Sequence, residues 1–257
     1  ETGDAPAGPA EADSCEIQDE DREYELSNSQ ERFWFIQKFD PGIVAYNMSV
    51  YRILDFEVDV GLLTRAMQII LKRHPALRTI FREMNGVPKQ VVLSKTDFNI
   101  EIVDITNCDD EMARLRELIE KENRKPFDLS RLLLRMKLFR LSNKKNCIYF
   151  SIHHIIVDGI SMGIIEKELF EILTAFSNGT EASLPLLKTS YIDFMLEQKK
   201  WLGSPGAAMT EKYWMKELSP PIPVLNLPTD FKRPTDITYN GDYIIVRLDR
   251  ILADKLK

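Results

Sequence analysis

Apolar residues in this chain recur in two rhythms that alternate along its length. The run Cys147-Ile148-Tyr149-Phe150-Ser151-Ile152 is dense in β-branched and aromatic residues and reads as a buried strand. From Ser161 to Phe176 the apolar positions become Ile164, Ile165, Leu169, Ile172, Leu173 and Phe176, which is a helical period. The same switching predicts helices over 27–38, 60–74, 110–124, 189–202 and 210–218. Ser27 caps the first of these, with Gln30 at capping-box spacing. Pro75 ends the second, and Met112, Leu115, Leu118 and Ile119 give the third an apolar face. Strands are predicted over 47–54, 79–81, 89–93, 132–141, 147–153 and 243–248. Asn85-Gly86 is the turn signal between the 79–81 and 89–93 strands, and 142–146 forms a polar turn before the last buried run. The proline-rich stretch 220–234 is extended. No internal repeat is evident, and the alternation defines an α/β fold.

The chain has 257 residues, 44% of them hydrophobic, enough for a sizeable core and one or two domains. Residues 1–22 are rich in Ala, Pro, Gly, Asp and Glu with almost no large apolar side chains, so they read as a flexible acidic linker. A net charge of -6 argues against a nucleic-acid surface. No apolar run approaches the roughly 20 residues of a bilayer span, and no signal-peptide core is visible, so a cytoplasmic protein without membrane contact is expected. Cys15, Cys108 and Cys147 are too few and too scattered for a disulfide framework or a zinc site.

The chemistry concentrates at residues 153–159, His-His-Ile-Ile-Val-Asp-Gly, where the buried strand ends and the helix begins. A neutral imidazole takes a proton near neutral pH. Neighbouring strand residues point to opposite faces, so one of His153 and His154 lines a cleft while the other packs inward. Asp158 can orient an imidazole or pair with a buried arginine. Gly159 permits a tight turn. Ser161 is a candidate helix cap. His74 reads as a local helix-end histidine, and Tyr191, Trp201, Tyr213 and Trp214 read as core aromatics.

This heptapeptide resembles the HHxxxDG signature of nonribosomal peptide synthetase condensation domains, members of the chloramphenicol-acetyltransferase-like superfamily. Further segments agree in order. Ser27 to Phe35 resembles the opening motif, and 73–81, Arg-His-Pro-Ala-Leu-Arg-Thr-Ile-Phe, is similar to the RHxxLRTxF motif. Pro126-Phe127-Asp128-Leu129 resembles the segment before the signature strands, Tyr191-Ile192-Asp193-Phe194 the YxDF motif, and Leu227 to Pro234 the LPTDxxRP stretch. The likeness covers about residues 24–257.

The resemblance implies a two-layer α/β sandwich lobe with a mixed sheet, facing a second lobe across a tunnel. It divides the chain into a linker at 1–22, an N-terminal lobe at 23–183, and an inter-lobe segment with the start of an incomplete second lobe at 184–257. It implies amide-bond formation between a carrier-bound acyl or peptidyl thioester and a carrier-bound amino acid. His154 would be the tunnel histidine, His153 structural, and Gly159 a place for the pantetheine arm. Asp158 would form an ion pair with Arg78 or, failing that, Arg135. No cofactor or metal is bound directly. The phosphopantetheine arm arrives on donor and acceptor carrier proteins, with adjacent synthetase domains as further partners. Ester formation with a hydroxyl acceptor, acyl transfer to a free amine, and a non-catalytic carrier-recruiting module are the alternatives.

Overall fold

The computed structural model describes residues 20–232, 234, 235, 244 and 246–256. Most of the expected linker, with Cys15, therefore lies outside the described residues, as do Arg233 and, within the expected 243–248 strand, positions 243 and 245. Residues 244 and 246–248 belong to no strand. The chain divides into two compact units, one ending at Trp214 and the other beginning at Met215.

The first unit opens with β1 (Arg22–Glu25). The linker thus ends earlier than expected, and Asp21 is already tied down, its carboxylate accepting from the Ser94 amide at 2.8 Å. α1 (Asn28–Phe39) follows, with Ser27 at the N-cap and both bonds of the capping box formed with Gln30. β2 (Asn47–Leu54) leads to α2 (Val60–Arg73), whose buried Leu63, Ala66, Met67, Ile70 and Leu71 trace one helical stripe. A 3-10 turn at Pro75–Arg78 connects to β3 (Thr79–Met84) and β4 (Val87–Val92). Asn85 and Gly86 between them both take positive φ, 52° and 78°, as a two-residue hairpin turn requires. β5 (Glu101–Asp104), α3 (Glu111–Asn123), β6 (Leu134–Arg140), β7 (Asn146–His153) and α4 (Gly159–Ser177) complete the chain to the signature helix. α5 (Tyr191–Leu202) and α6 (Pro205–Glu217) come next.

Two sheets form. One is antiparallel in the order β1-β4-β3, and the other is mixed, in the order β2-β7-β6-β5, with β5 parallel to β6. All eight residues of β7 are buried, because it is a central strand covered on both faces. Its Ile148, Phe150 and Ile152 enter the main core with Leu134, Met136 and Leu138 of β6 and the stripes of α2 and α4. Cys147 and Tyr149 point the other way, to Leu115 and Ile119 of α3. A third cluster, Leu26, Phe81, Phe127, Leu129, Leu133 and Ile155, packs under the aromatic face of α1.

Trp201, Tyr213 and Trp214 were expected in the core, but they are half exposed at 50%, 55% and 54%. The reason is local: α5 buries only Met195 and α6 only Ala207, so most of each helix surface is left exposed. The second unit contains α7 (Arg250–Leu256), which has no buried residue.

Candidate active site

β7 delivers the two histidines with its last pairings still intact. The His153 amide donates to Leu133 O at 3.1 Å, and the His154 amide donates to Tyr46 O at 2.9 Å. The backbone is thus held from both neighbouring sides, but the strand ends at His153, so the two imidazoles are not sent to opposite faces as expected: both lie against Phe33. Ile155 and Val157 then anchor the turn in two different apolar clusters. The Ile156 amide closes it by donating to His153 O at 3.1 Å.

His153 is fully buried. Its Nε2 lies 3.2 Å from Gln37 Oε1, and its Nδ1 accepts the Ile155 amide at 3.0 Å. The rings of Phe33, Tyr46 and Phe127 surround it, Phe33 and Phe127 edge-on. Burial pushes its pKa down to about 4, with the neighbouring His154 and the Arg135 guanidinium adding to the effect.

His154 is half-buried, and its ring stacks on Phe33 with centroids 5.3 Å apart and planes 23° from parallel. Phe33 in turn meets Tyr46 edge-on at 4.9 Å. Among the described residues neither ring nitrogen of His154 has a hydrogen-bond partner, so both are available to an incoming group.

Asp158 corrects an expectation. It makes no ion pair with Arg78 or Arg135. It is the N-cap of α4, and its Oδ1 accepts from the Ser161 hydroxyl at 2.6 Å and the Ser161 amide at 2.8 Å. Those two bonds hold its carboxyl below the usual carboxylate range, against a small opposing effect of burial. Ser161 is therefore the capped residue rather than the cap. The physical reason is reach: helix α4 starts immediately after Asp158, so its own free amides are the nearest donors. Both arginines are engaged elsewhere. Arg78 is buried, and its Nε donates to Leu71 O at 2.8 Å with Leu93 O as a second acceptor. Arg135 donates to Lys125 O at 2.7 Å and stacks over Phe127 at 3.8 Å. Burial lowers its pKa.

Gly159 also differs from expectation. It is the first residue of α4 without a positive φ, so the turn does not require glycine. Its contribution is space: a Cβ there would meet nothing within 4 Å. His74, at the C-cap of α2, bonds Glu168 Oε2 of α4 at 2.7 Å and stands apart from the signature loop. Sequence reasoning missed Phe33, Gln37 and Tyr46. Phe33 lies within the stretch that resembles the opening motif, and Gln37, four residues further along α1, shares its face.

Among the described residues no cluster of His, Cys, Asp or Glu has the arrangement of a metal site, and no helix is long and apolar enough to cross a membrane.

With this geometry in place, the comparisons converge. Residues 20–257 match the condensation-domain family, and the chain belongs to it. Gramicidin S synthase 2 of Brevibacillus brevis is 32% identical over 234 residues, 91% of this chain and 5% of that protein. The starter condensation domain of rhizomide synthetase superposes with a TM-score of 0.72 at 20% identity, covering 77% of this chain and 48% of that one. A substituted form of the same domain, solved in complex with C8-CoA, gives a TM-score of 0.70 at 20% identity over 76% and 45% of the two chains. The chain thus spans a few per cent of the synthase it matches and about half of the solved domain.

Proposed function

We propose that this chain supplies the histidine-bearing lobe of a condensation domain that forms an amide bond between two carrier-bound substrates. The observation that carries the reading is the contrast within the signature: both ring nitrogens of His153 are engaged, and neither of His154 is. A proton acceptor must have a free nitrogen within reach of the reacting group. His154 has that, on a rigid aromatic support.

In the proposed reaction the acceptor amine attacks the donor thioester carbonyl. The C–N bond forms and the C–S bond breaks, with its electron pair leaving on the pantetheine sulfur. His154 takes the proton from the nitrogen and returns it to the thiolate. The thioester is already activated, so the step draws on no metal or nucleotide. His153 fixes the loop, Asp158 fixes the start of α4, and the open side of Gly159 admits the pantetheine arm. Arg135 underlies His153, and Arg78 ties the end of α2 to the residue after β4. Donor and acceptor carriers in the cytoplasm, within the same synthetase or on an adjacent one, present the two arms. The C8-CoA complex of the rhizomide starter domain supports the reading, since coenzyme A carries the same pantetheine arm.

The test uses the complete two-lobed protein. A donor carrier bearing a simple acyl-pantetheine is offered to amine-loaded and hydroxyl-bearing acceptors, and intact mass follows the transfer. Transfer to the amine that collapses in His154→Ala is the expected result. Transfer only to the hydroxyl would move the reading to ester formation. Carrier binding without transfer by either protein would leave a recruiting module.

A further inference from the structure

We propose that Gln37 is a positioning residue that locks His153 into a single neutral tautomer, hydrogen on Nε2, and thereby sets the loop that presents His154. Two separate sets of contacts lead to the same proton. The Gln37 amide nitrogen donates to Pro41 O at 3.1 Å and Phe127 O at 3.3 Å, and both of those atoms can only accept. That fixes the orientation of the amide and turns Oε1 toward His153 Nε2 at 3.2 Å. An amide oxygen cannot donate, so Nε2 must carry the hydrogen. Independently, His153 Nδ1 accepts the Ile155 amide at 3.0 Å and must present a lone pair. Neither constraint uses the other.

The consequence passes to His154 through the backbone. The bond from Ile155 to Nδ1 closes a small ring around the His154 peptide, so the ring plane of His153 and the path of the loop are one geometry. Gln37 holds that ring from α1, and the same helix carries Phe33, on which His154 lies. One helix face therefore grips both imidazoles, one by a hydrogen bond and the other by stacking. The titratable groups facing the His153 ring are His154, Arg135 and the Tyr46 phenol, and the two that bear on its charge, His154 and Arg135, both oppose protonation. A neutral His153 places no charge of its own beside His154.

The role in positioning His154 for catalysis rests on the condensation reading, whereas the tautomer does not. The test therefore starts with imidazole nitrogen NMR on the 257-residue chain, comparing the unsubstituted protein with Gln37→Met and Gln37→Glu. The expected signature of the unsubstituted His153 is one neutral tautomer with a slowly exchanging Nε2 hydrogen. Gln37→Met removes the acceptor and should lose that slow exchange. Gln37→Glu keeps an acceptor for Nε2 but loses the donor to Pro41 O and Phe127 O, so it should keep the Nε2 hydrogen with weaker exchange protection, and its negative charge should raise the pKa of His153 above about 4. An Nδ1-H tautomer, a tautomer mixture in the unsubstituted chain, or identical spectra in all three would overturn the proposal. In the complete two-lobed protein, Gln37→Met should lower kcat by on the order of tenfold or more with KM little changed. If that protein transfers nothing even unsubstituted, the condensation reading fails while the spectra still decide the tautomer.

Discussion

The two faces of β7 are packed in different ways. One face, Ile148, Phe150 and Ile152, packs into the main apolar core with side chains of α2, α4 and β6. The opposite face is just as buried but largely polar. Tyr149 Oη donates to Asn123 Oδ1 at 2.9 Å, Ser151 accepts from Ser49 at 3.2 Å, and His153 meets Gln37. Beside them Lys137 of β6 reaches Glu122 at 3.0 Å and Glu101 at 2.6 Å. The apolar face is non-directional and tolerates approximate shapes. The polar face admits one arrangement, because each buried group needs a particular partner. His153 is placed by the second kind of packing and supported by the first. The matching is nearly complete: Asn47 Oδ1 and Arg135 Nε are the buried side-chain atoms left without a partner among the described residues.

Cutting the apolar face should do the most damage. Leu169 is fully buried in the main core, and Leu169→Ala should cost about 4 kcal/mol through lost transfer energy and the cavity left behind, read from urea unfolding. The polar face should break differently. Lys137→Met leaves Glu122 buried with only Lys125 as a partner and should cost about 3 kcal/mol. Adding Glu122→Leu should recover most of that loss. If the double variant is no more stable than Lys137→Met alone, the network is not paired as described.

His153 gives the polar face its own dependence on pH. Its folded pKa of about 4 lies below the ordinary 6.5, so the unfolded chain binds this proton more readily than the folded one. Its contribution is complete above pH 6.5, falls as pH drops from 6.5 toward 4, and then levels off. The total is up to about 3 kcal/mol. Unfolding free energies of the parent and of His153→Leu across that window should diverge at higher pH and converge at lower pH. Parallel curves would show that His153 titrates normally.

The smallest effect separates the two accounts of Asp158. As a helix cap it should cost about 1 kcal/mol in Asp158→Ala. A buried ion pair would cost several times that on losing one partner. A melting shift of only a few degrees, with the α4 helix intact by circular dichroism, favours the cap.

Much of this was legible in the sequence, and the pattern of success is physical. β2 was predicted at its observed limits, and the buried run of β7, the capping box of α1 and the Asn85-Gly86 turn were all readable, because each is specified by neighbours in sequence. β1 and β5 escaped notice. Both are four-residue strands, with Arg22-Glu23-Tyr24-Glu25 mostly charged, and they exist only through pairing with β4 and β6. In the site, the His-His-Asp-Gly stretch announced itself, but its surroundings did not. The partner of His153 lies 116 residues away in a helix whose sequence gives no reason for its glutamine to be buried. The expected partner of Asp158 was wrong for the converse reason. A long-range charge pair was inferred where a donor three residues away satisfied the carboxylate.

The order of strands in the mixed sheet bears on how the protein is made. β7 lies between β2 and β6, so Asn47 is paired with His153 and Leu134 with Ile152. During synthesis β2 leaves the ribosome about a hundred residues before the strand that completes it, and at roughly 5–20 residues per second that wait is about 5 to 20 seconds. Until then β2 and β6 each present an open edge, the kind of surface that recruits other chains. Among the described residues, the strand that carries the histidines is the last piece of this sheet to arrive. A nascent chain stalled before residue 146 should be sticky and hold no site, whereas one released past α4 can close the sheet and the site in the same event.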